Sequence, residues 1–439
     1  MWVGLVVAGI HINCLRKVFL LGFTGGHIVM HNLFAHAALH GGAVQENGTE
    51  PIEPVAKAAH EREGAEATRL LKYALRAKFE AQPSGIGPVV PSQLDAAAIY
   101  RAARLNKLVL LLTAAVLNVV SERERSALAS MVGRYKARTI AMNARVIADT
   151  QSVSAALAGA GIAFVVMKGV CQQKLLYDEY FAKPVGDVDI LVGSRDYGRA
   201  QAVLERAGFA VADGCRSLWW RLFLGEQHMV KMGNPPVTVD LHYRLQQPGS
   251  PSPRDPAAFI RQQETMEMAG ARVPVISRIH RPILSAISIA KALFNREACG
   301  GYVLDFHASV TGMTGNERAA LLAEAERQGL GSTVLLGFRA SSLLFGEPFA
   351  ASESSGSGVL STTSDADLEA MILGPWTSGI TWPQRRDVLR ELCGRDVIRY
   401  AGEASWAATA DLCRRWFERG APGKPPIAAT GQPLPGVGA

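Results

Sequence analysis

Gly186-Asp187-Val188-Asp189-Ile190-Leu191-Val192 is the stretch whose reading decides the fold. Carboxylates and apolar residues alternate at its start, the period of a strand with two unlike faces. Residues i and i+2 of a strand project to one side, roughly 6.5–7 Å apart. Asp187 and Asp189 therefore share a face, while Val188, Ile190 and Val192 turn into a core. Like charges on adjacent same-face positions repel unless a cation lies between them. Mg²⁺ suits such a pair, because it takes few carboxylates and shares the rest of its shell with water and phosphate oxygens. A lone Asp-x-Asp is common by chance, so the reading needs support from the flanking sequence.

Both flanks supply it. Upstream, Gly159 and Gly161 end a helix over 121–159, and a strand over Ala163–Met167 runs into Lys168-Gly169 and a helix over 170–180. A further helix is expected over 195–207, with Ser194 as its N-cap. Downstream, 226–232 and 237–244 alternate as strands around Gly233-Asn234-Pro235-Pro236, which predicts an antiparallel hairpin. In its second strand Val237, Val239 and Leu241 share one face, and Thr238, Asp240 and His242 the other. If this strand neighbours the Asp187–Val192 strand, all three aspartates meet.

The run from Gly161 to Phe209, with Lys168-Gly169, Leu176-Tyr177 and Pro184-x-Gly186-Asp187-x-Asp189, resembles the uncharacterised nucleotidyltransferase family of the polymerase-beta-like superfamily. The later Asp240-Leu241-His242-Tyr243-Arg244-Leu245 is similar to that family's closing strand. The likeness is good across 161–245 and weaker from 66 to 348. It implies an α+β fold, in which a small mixed sheet is flanked by N-terminal and C-terminal helical regions. It also implies a Mg²⁺-dependent enzyme (two ions, with Mn²⁺ as a substitute) that moves a nucleoside monophosphate from an NTP such as ATP to an acceptor hydroxyl. Carried over, Asp187, Asp189 and Asp240 become the metal and catalytic residues. Lys168, Gly169, Lys183 and Gly186 become the nucleotide-binding residues. His242, His228, Tyr177 and Arg244 lie near substrate or behind the ligands, with structural roles favoured, and Asp305 pairs with or caps a neighbouring helix.

Two departures bear on the triphosphate. Lys183 stands where the family has Arg, so a point charge replaces a fork. Val170 follows Gly169 where the wider superfamily often carries a serine. Competing readings are a tailoring transferase acting on a peptide or polysaccharide precursor, and a non-catalytic nucleotide-binding or regulatory module. Metal-dependent glycosyltransferases and haloacid-dehalogenase-type phosphatases also use Asp-x-Asp. The chain lacks the α/β half upstream that the former need and the residue spacing of the latter.

At 439 residues, 48% hydrophobic and 19% charged, the chain is globular. Its net charge of +7 comes without a Lys/Arg run, which fits an anionic substrate and argues little for nucleic acid. The six cysteines show no zinc spacing, so reduced thiols and a cytoplasmic location are expected. No apolar run is long enough to span a membrane, since His, Asn, Arg and Lys interrupt residues 1–42. Residues 1–60 are expected to be a poorly specified extension, with Met30 an alternative start and His27/His31 and His36/His40 at helical spacing. The expected divisions are helices over 61–160, including 61–80 and one long helix over 93–119, the nucleotidyltransferase core over 161–250, and helices over 275–350. A linker over 351–365, a helical extension over 366–420 carrying Trp376, Trp382, Trp406 and Trp416, and a disordered tail over 421–439 complete the chain.

Overall fold

Asp187–Val192 forms β2, the central strand of a seven-stranded mixed sheet. The computed structural model describes residues 67–73, 96–111, 117, 120–233, 236–346, 358–375, 385–394 and 396–418. The other strands are β1 (Phe164–Val166), β3 (Ala210–Val211), β4 (Glu226–Lys231), β5 (Val237–His242), β6 (Glu264–Met268) and β7 (Ala271–Val275), in spatial order β3-β4-β5-β2-β1-β7-β6. β2 runs antiparallel to β1 and parallel to β5, and β4 and β5 form the expected antiparallel hairpin. The β6–β7 hairpin lies past residue 250, beyond the segment expected to form the core.

The helices are α1 (Ala96–Leu105), α2 (Glu122–Gly159), α3 (Val170–Tyr177), α4 (Tyr197–Arg206), α5 (Ala257–Arg261) and α6 (His280–Asn295), followed by α7 (Gly300–Thr311), α8 (Gly315–Arg327), α9 (Gly331–Phe345), α10 (Asp365–Leu373), α11 (Arg385–Leu392) and α12 (Val397–Glu418). A capping box opens α2: Ser121 Oγ accepts the Glu124 N–H, and the Glu124 side chain reaches back to the Ser121 N–H. Thr314 and Glu317 do the same for α8. Strand alternation sorts the sheet into two faces. Val188, Ile190, Val192, Val239 and Leu241 are buried with Val153 and Leu157 of α2 and Leu204 of α4. The opposite face carries Val165, Met167 and Leu191 into a second core with α5, α6, α7 and α9. Asp187, Asp189 and Asp240 belong to that second face, so the site opens toward the α6–α9 helices.

Three expectations are corrected. The long helix over 93–119 is broken: α1 stops at Leu105, and Asn106-Lys107 form a turn. The N-cap of α4 is Asp196 rather than Ser194. Trp416 is 76% exposed, whereas Trp406 packs against Phe223 at 5.2 Å between ring centres. At the end of the expected linker, Val359 and Leu360 are buried, and Arg339 donates to both of their carbonyls. Expectations for residues 1–60, 351–357 and 421–439, for the N-terminal histidines, and for Trp376 and Trp382 fall outside the described residues. Among the described residues no helix is long and apolar enough to cross a membrane.

Candidate metal and nucleotide site

The parallel register of β2 and β5 sets Asp189 directly beside Asp240 and Asp187 beside Thr238. Paired residues in adjacent strands share a face, so the register delivers Asp189, Asp240 and, two residues on, His242 to one spot. One ligand atom from each of these three residues lies within 4.8 Å of the others. Asp187 stands outside that group, half-buried at the mouth of the strand. His242, favoured from the sequence as a structural residue, is thus part of the cluster.

The cluster is short of hydrogen bonds. Asp189 is 1% exposed, and neither of its carboxylate oxygens has a directed hydrogen bond; His242 Nε2 is likewise buried without one. Lys168 Nζ forms an ion pair with Asp189 Oδ1 at 3.0 Å. His242 Nε2 stands 3.5 Å from the same oxygen. Buried polar atoms without partners cost free energy, and a cation among them would remove that cost. The set of two carboxylates and an imidazole therefore fits a divalent metal.

Charge is distributed unevenly. Burial would raise the Asp189 carboxyl, but Lys168 and His242 outweigh it and hold Asp189 ionised, below the usual carboxylate range. The Asp189 charge, and then burial, push Asp187 up to about 6. Burial disfavours the Lys168 ammonium, yet Asp189 and Asp187 keep it protonated well above its ordinary range. On β4, His228 Nδ1 meets Asp240 Oδ1 at 2.5 Å, and that bond raises the His228 pKa against the effect of burial. Trp220 lies against the His228 ring, 5.0 Å between centres. Glu226, which the sequence reading passed over, pairs with His242 across the hairpin and puts Oε2 at 3.3 Å from its Nδ1. Its signal was its place in the 226–232 strand, two residues before His228 and on the same face.

Gly169 N-caps α3 with φ +79°, in the left-handed half of backbone space. A Cβ there would also lie 3.2 Å from Val185 Cγ1, a tight contact added to a backbone conformation that favours glycine. Gly186 is exposed just ahead of β2. Lys183 is placed differently from a phosphate ligand. Its ammonium forms a buried ion pair with Asp305 of α7, whose Oδ1 also accepts the Tyr177 hydroxyl at 2.5 Å. The backbone around Lys183 is held as well. Asn143 donates to the carbonyls of Tyr180 and Lys183 and accepts the Val185 N–H, while Gln173 bonds both backbone groups of Lys183. Arg244 lies over the rings of Tyr243 and Trp406, facing α12.

Comparison with known proteins agrees with this architecture. The family model described as "Uncharacterised nucleotidyltransferase" matches residues 92–346, more than half of the chain. No curated protein matches. One solved structure, an antigenic nucleotidyltransferase-like protein from Paracoccidioides brasiliensis, aligns at 14% identity with a TM-score of 0.24, covering 47% of this chain and 97% of that one. So distant a likeness adds nothing to the site. The family match spans both site strands and the helices facing them, and by it the chain belongs to the uncharacterised nucleotidyltransferase family.

Proposed function

We propose that this protein transfers a nucleoside monophosphate from an NTP to an acceptor hydroxyl. The observation that carries the reading is Asp189: an ionised, buried carboxylate that pairs with Lys168 through Oδ1, leaves Oδ2 without a hydrogen-bond partner, and is grouped with Asp240 and His242 in a nucleotidyltransferase-family chain. Asp189, Asp240 and His242 would hold a divalent cation, with Asp187 adding a carboxylate from the rim. When bound, Mg²⁺ or Mn²⁺ supplies positive charge to the phosphate oxygens of the reacting centre.

The chain's own residues do the rest. The acceptor oxygen bonds to the α-phosphorus as the bond to the β-phosphate oxygen breaks, and pyrophosphate leaves. Asp240 is the group for the acceptor's proton, and His228 holds it in orientation. Gly169, opening α3, offers backbone N–H groups to phosphate oxygens, and Lys168 supplies a fixed cation beside them. Lys183, being paired with Asp305, serves by fixing the loop that leads into β2 rather than by touching phosphate.

The test is Mn²⁺ binding followed by electron paramagnetic resonance, then incubation with α-labelled NTPs and a cell extract to identify the labelled acceptor. Asp189→Asn and Asp240→Asn should each abolish high-affinity Mn²⁺ binding and label transfer. One observation favours a second reading, a nucleotide-binding module without turnover: the residue after Gly169 is Val170, 1% exposed in the core, so that position offers no hydroxyl to a phosphate. Metal-dependent nucleotide binding with no label on any acceptor would support that reading.

A further inference from the structure

Glu226 opens β4, two residues before His228 and directly across from His242 on β5. Residues i and i+2 of a strand share a face, as do paired residues of neighbouring strands, so all three side chains stand on the cluster's side of the sheet. The carboxylate reaches both rings. Its Oε2 lies 3.3 Å from His242 Nδ1, and its Oε1 lies 4.0 Å from His228 Nε2. Each ring turns its other nitrogen to the cluster. His242 Nε2 stands 3.5 Å from Asp189 Oδ1, and His228 Nδ1 meets Asp240 Oδ1 at 2.5 Å. One glutamate thus stands behind two histidines, and each histidine faces one aspartate of the site.

The backbone holds Glu226 in place. The preceding residue, Gly225, has φ +69°. Its N–H donates to Trp220 O and its carbonyl accepts the Tyr243 N–H, both at 2.9 Å. A Cβ on Gly225 would fall 2.9 Å from Arg244 Cβ, so both the turn and the close approach suit glycine. Among the described residues, the groups of opposite charge type within ion-pair distance of Glu226 are these two histidines. An imidazole binds a metal through a nitrogen that carries no proton, and a carboxylate at the other nitrogen decides which one that is. At His242 the carboxylate stands at Nδ1. The proton is kept there, and the Nε2 lone pair is left toward Asp189 and Asp240. Nε2 is buried without a hydrogen bond, as a nitrogen reserved for a metal would be. A cross-strand pair serving stability alone explains neither the unbonded Nε2 nor the second imidazole.

We propose that Glu226 is a positioning residue of the metal site, orienting His242 and holding its proton on Nδ1 so that Nε2 is the metal-binding nitrogen. The proposal rests on the metal site of the nucleotidyltransfer reading above, and it adds a carboxylate that the motifs read from the sequence do not contain. The ligand it serves is a divalent cation that takes one imidazole among carboxylate oxygens.

The experiment uses the full chain with Mn²⁺ alone as the probe. Glu226→Leu, Glu226→Ala, Glu226→Gln and His242→Ala are compared with the parent, and Glu226→Leu is also made in the His242→Ala background. Melting without metal shows which variants fold; should Glu226→Leu not fold, Glu226→Ala and the parent's own spectrum carry the test. Mn²⁺ affinity is read by electron paramagnetic resonance, and the bound ion by electron spin echo, in which a coordinated imidazole appears as ¹⁴N modulation. The parent should show that modulation and His242→Ala should not. Glu226→Leu and Glu226→Ala should bind Mn²⁺ about tenfold more weakly or worse, with the modulation diminished. Glu226→Gln, whose amide oxygen still accepts the Nδ1 proton, should keep most of the affinity and the modulation. In the His242→Ala background Glu226→Leu should cost nothing further, because Glu226 acts through that ring. A parent that binds Mn²⁺ without ¹⁴N modulation overturns the proposal and leaves a carboxylate metal site, with the nucleotidyltransfer reading intact. So does a parent-like affinity in both Glu226→Leu and Glu226→Ala. An undiminished loss in the His242→Ala background overturns it as well, making Glu226 a strand end only. A parent that binds no Mn²⁺ overturns the nucleotidyltransfer reading along with it, and is recognised before any variant is compared.

Discussion

Asp187 carries the clearest titration signature of any residue in the site. Its carboxyl is raised to about 6 by the neighbouring Asp189 charge and by burial, whereas an aspartate in an unfolded chain titrates near ~3.9. Between those values the folded protein keeps a proton that the unfolded chain has released. Asp187 therefore contributes stability that is full below about pH 4 and is lost as the pH rises toward 6. Asp187→Asn should flatten the metal-free stability profile across that window. Asp189→Asn should return the Asp187 titration toward ~4. Carboxyl ¹³C titration checks both, and a value near 4 for Asp187 in the intact metal-free protein would contradict them. The two β2 aspartates were legible in the sequence because a strand has period two and the apolar residues announce it. Glu226 and the turn at Asn106-Lys107 were not. A carboxylate at the start of an alternating strand reads as a solvated end, and Lys107 lies within Leu105, Leu108, Val109 and Leu112, a spacing that reads as unbroken helix.

At the scale of elements, α2, α3 and α7 converge on the loop that feeds β2. Lys183 and Asp305 are 8% and 6% exposed, and their pair joins that loop to α7. Breaking a buried pair from one side leaves an uncompensated charge, at a cost of about 3 kcal/mol or more. Asp305→Ala should show that loss as a lowered urea midpoint. Replacing both partners, as Lys183→Met with Asp305→Leu, should recover most of it, falling short by the Tyr177 hydroxyl left without its acceptor. If the double variant is as unstable as the single one, the pair is not what holds the loop. The family's basic residue at this point was visible in the sequence, but its partner 122 residues away was not. Asp305 itself was read as pairing with a neighbouring helix, without the partner. The β6–β7 hairpin escaped for a different reason. Its two-residue turn has positive φ at both Ala269 and Gly270, as a type I′ turn requires, yet alanine is not a residue that signals such a turn. Pro274 within β7 argues against a strand in sequence. It is tolerated because β7 meets β1 only at Val166–Val275.

On the scale of the whole molecule, the family match ends at residue 346 but the core does not. Leu368, Met371, Ile372 and Leu373 of α10 and Val388, Leu389 and Leu392 of α11 are buried in the same cluster as Phe306 and Leu344. α12 then returns to the sheet side. Trp406 packs on Phe223, Arg244 lies over Trp406, and the Trp219 indole N–H donates to Ala410 O at 3.0 Å. Trp219 and Phe223 bracket Trp220, which contacts His228 in the site. The C-terminal tryptophans hinted at such docking in the sequence, but an aromatic marks burial without naming its surface. Fully burying a valine, leucine, isoleucine or methionine stabilises by roughly 1.5–3 kcal/mol. Seven such contributions, even discounted for residual burial in the unfolded chain, match the about 5–15 kcal/mol that separates folded from unfolded domains. A chain ending at residue 346 should therefore lack a cooperative melting transition and bind a dye for exposed apolar surface. The milder Trp406→Ala should leave the core melting but speed amide exchange across residues 217–225 and α12 together. A fragment ending at residue 346 that melts cooperatively within a few degrees of the full chain would show that the matched segment folds alone and that α10–α12 only decorate it.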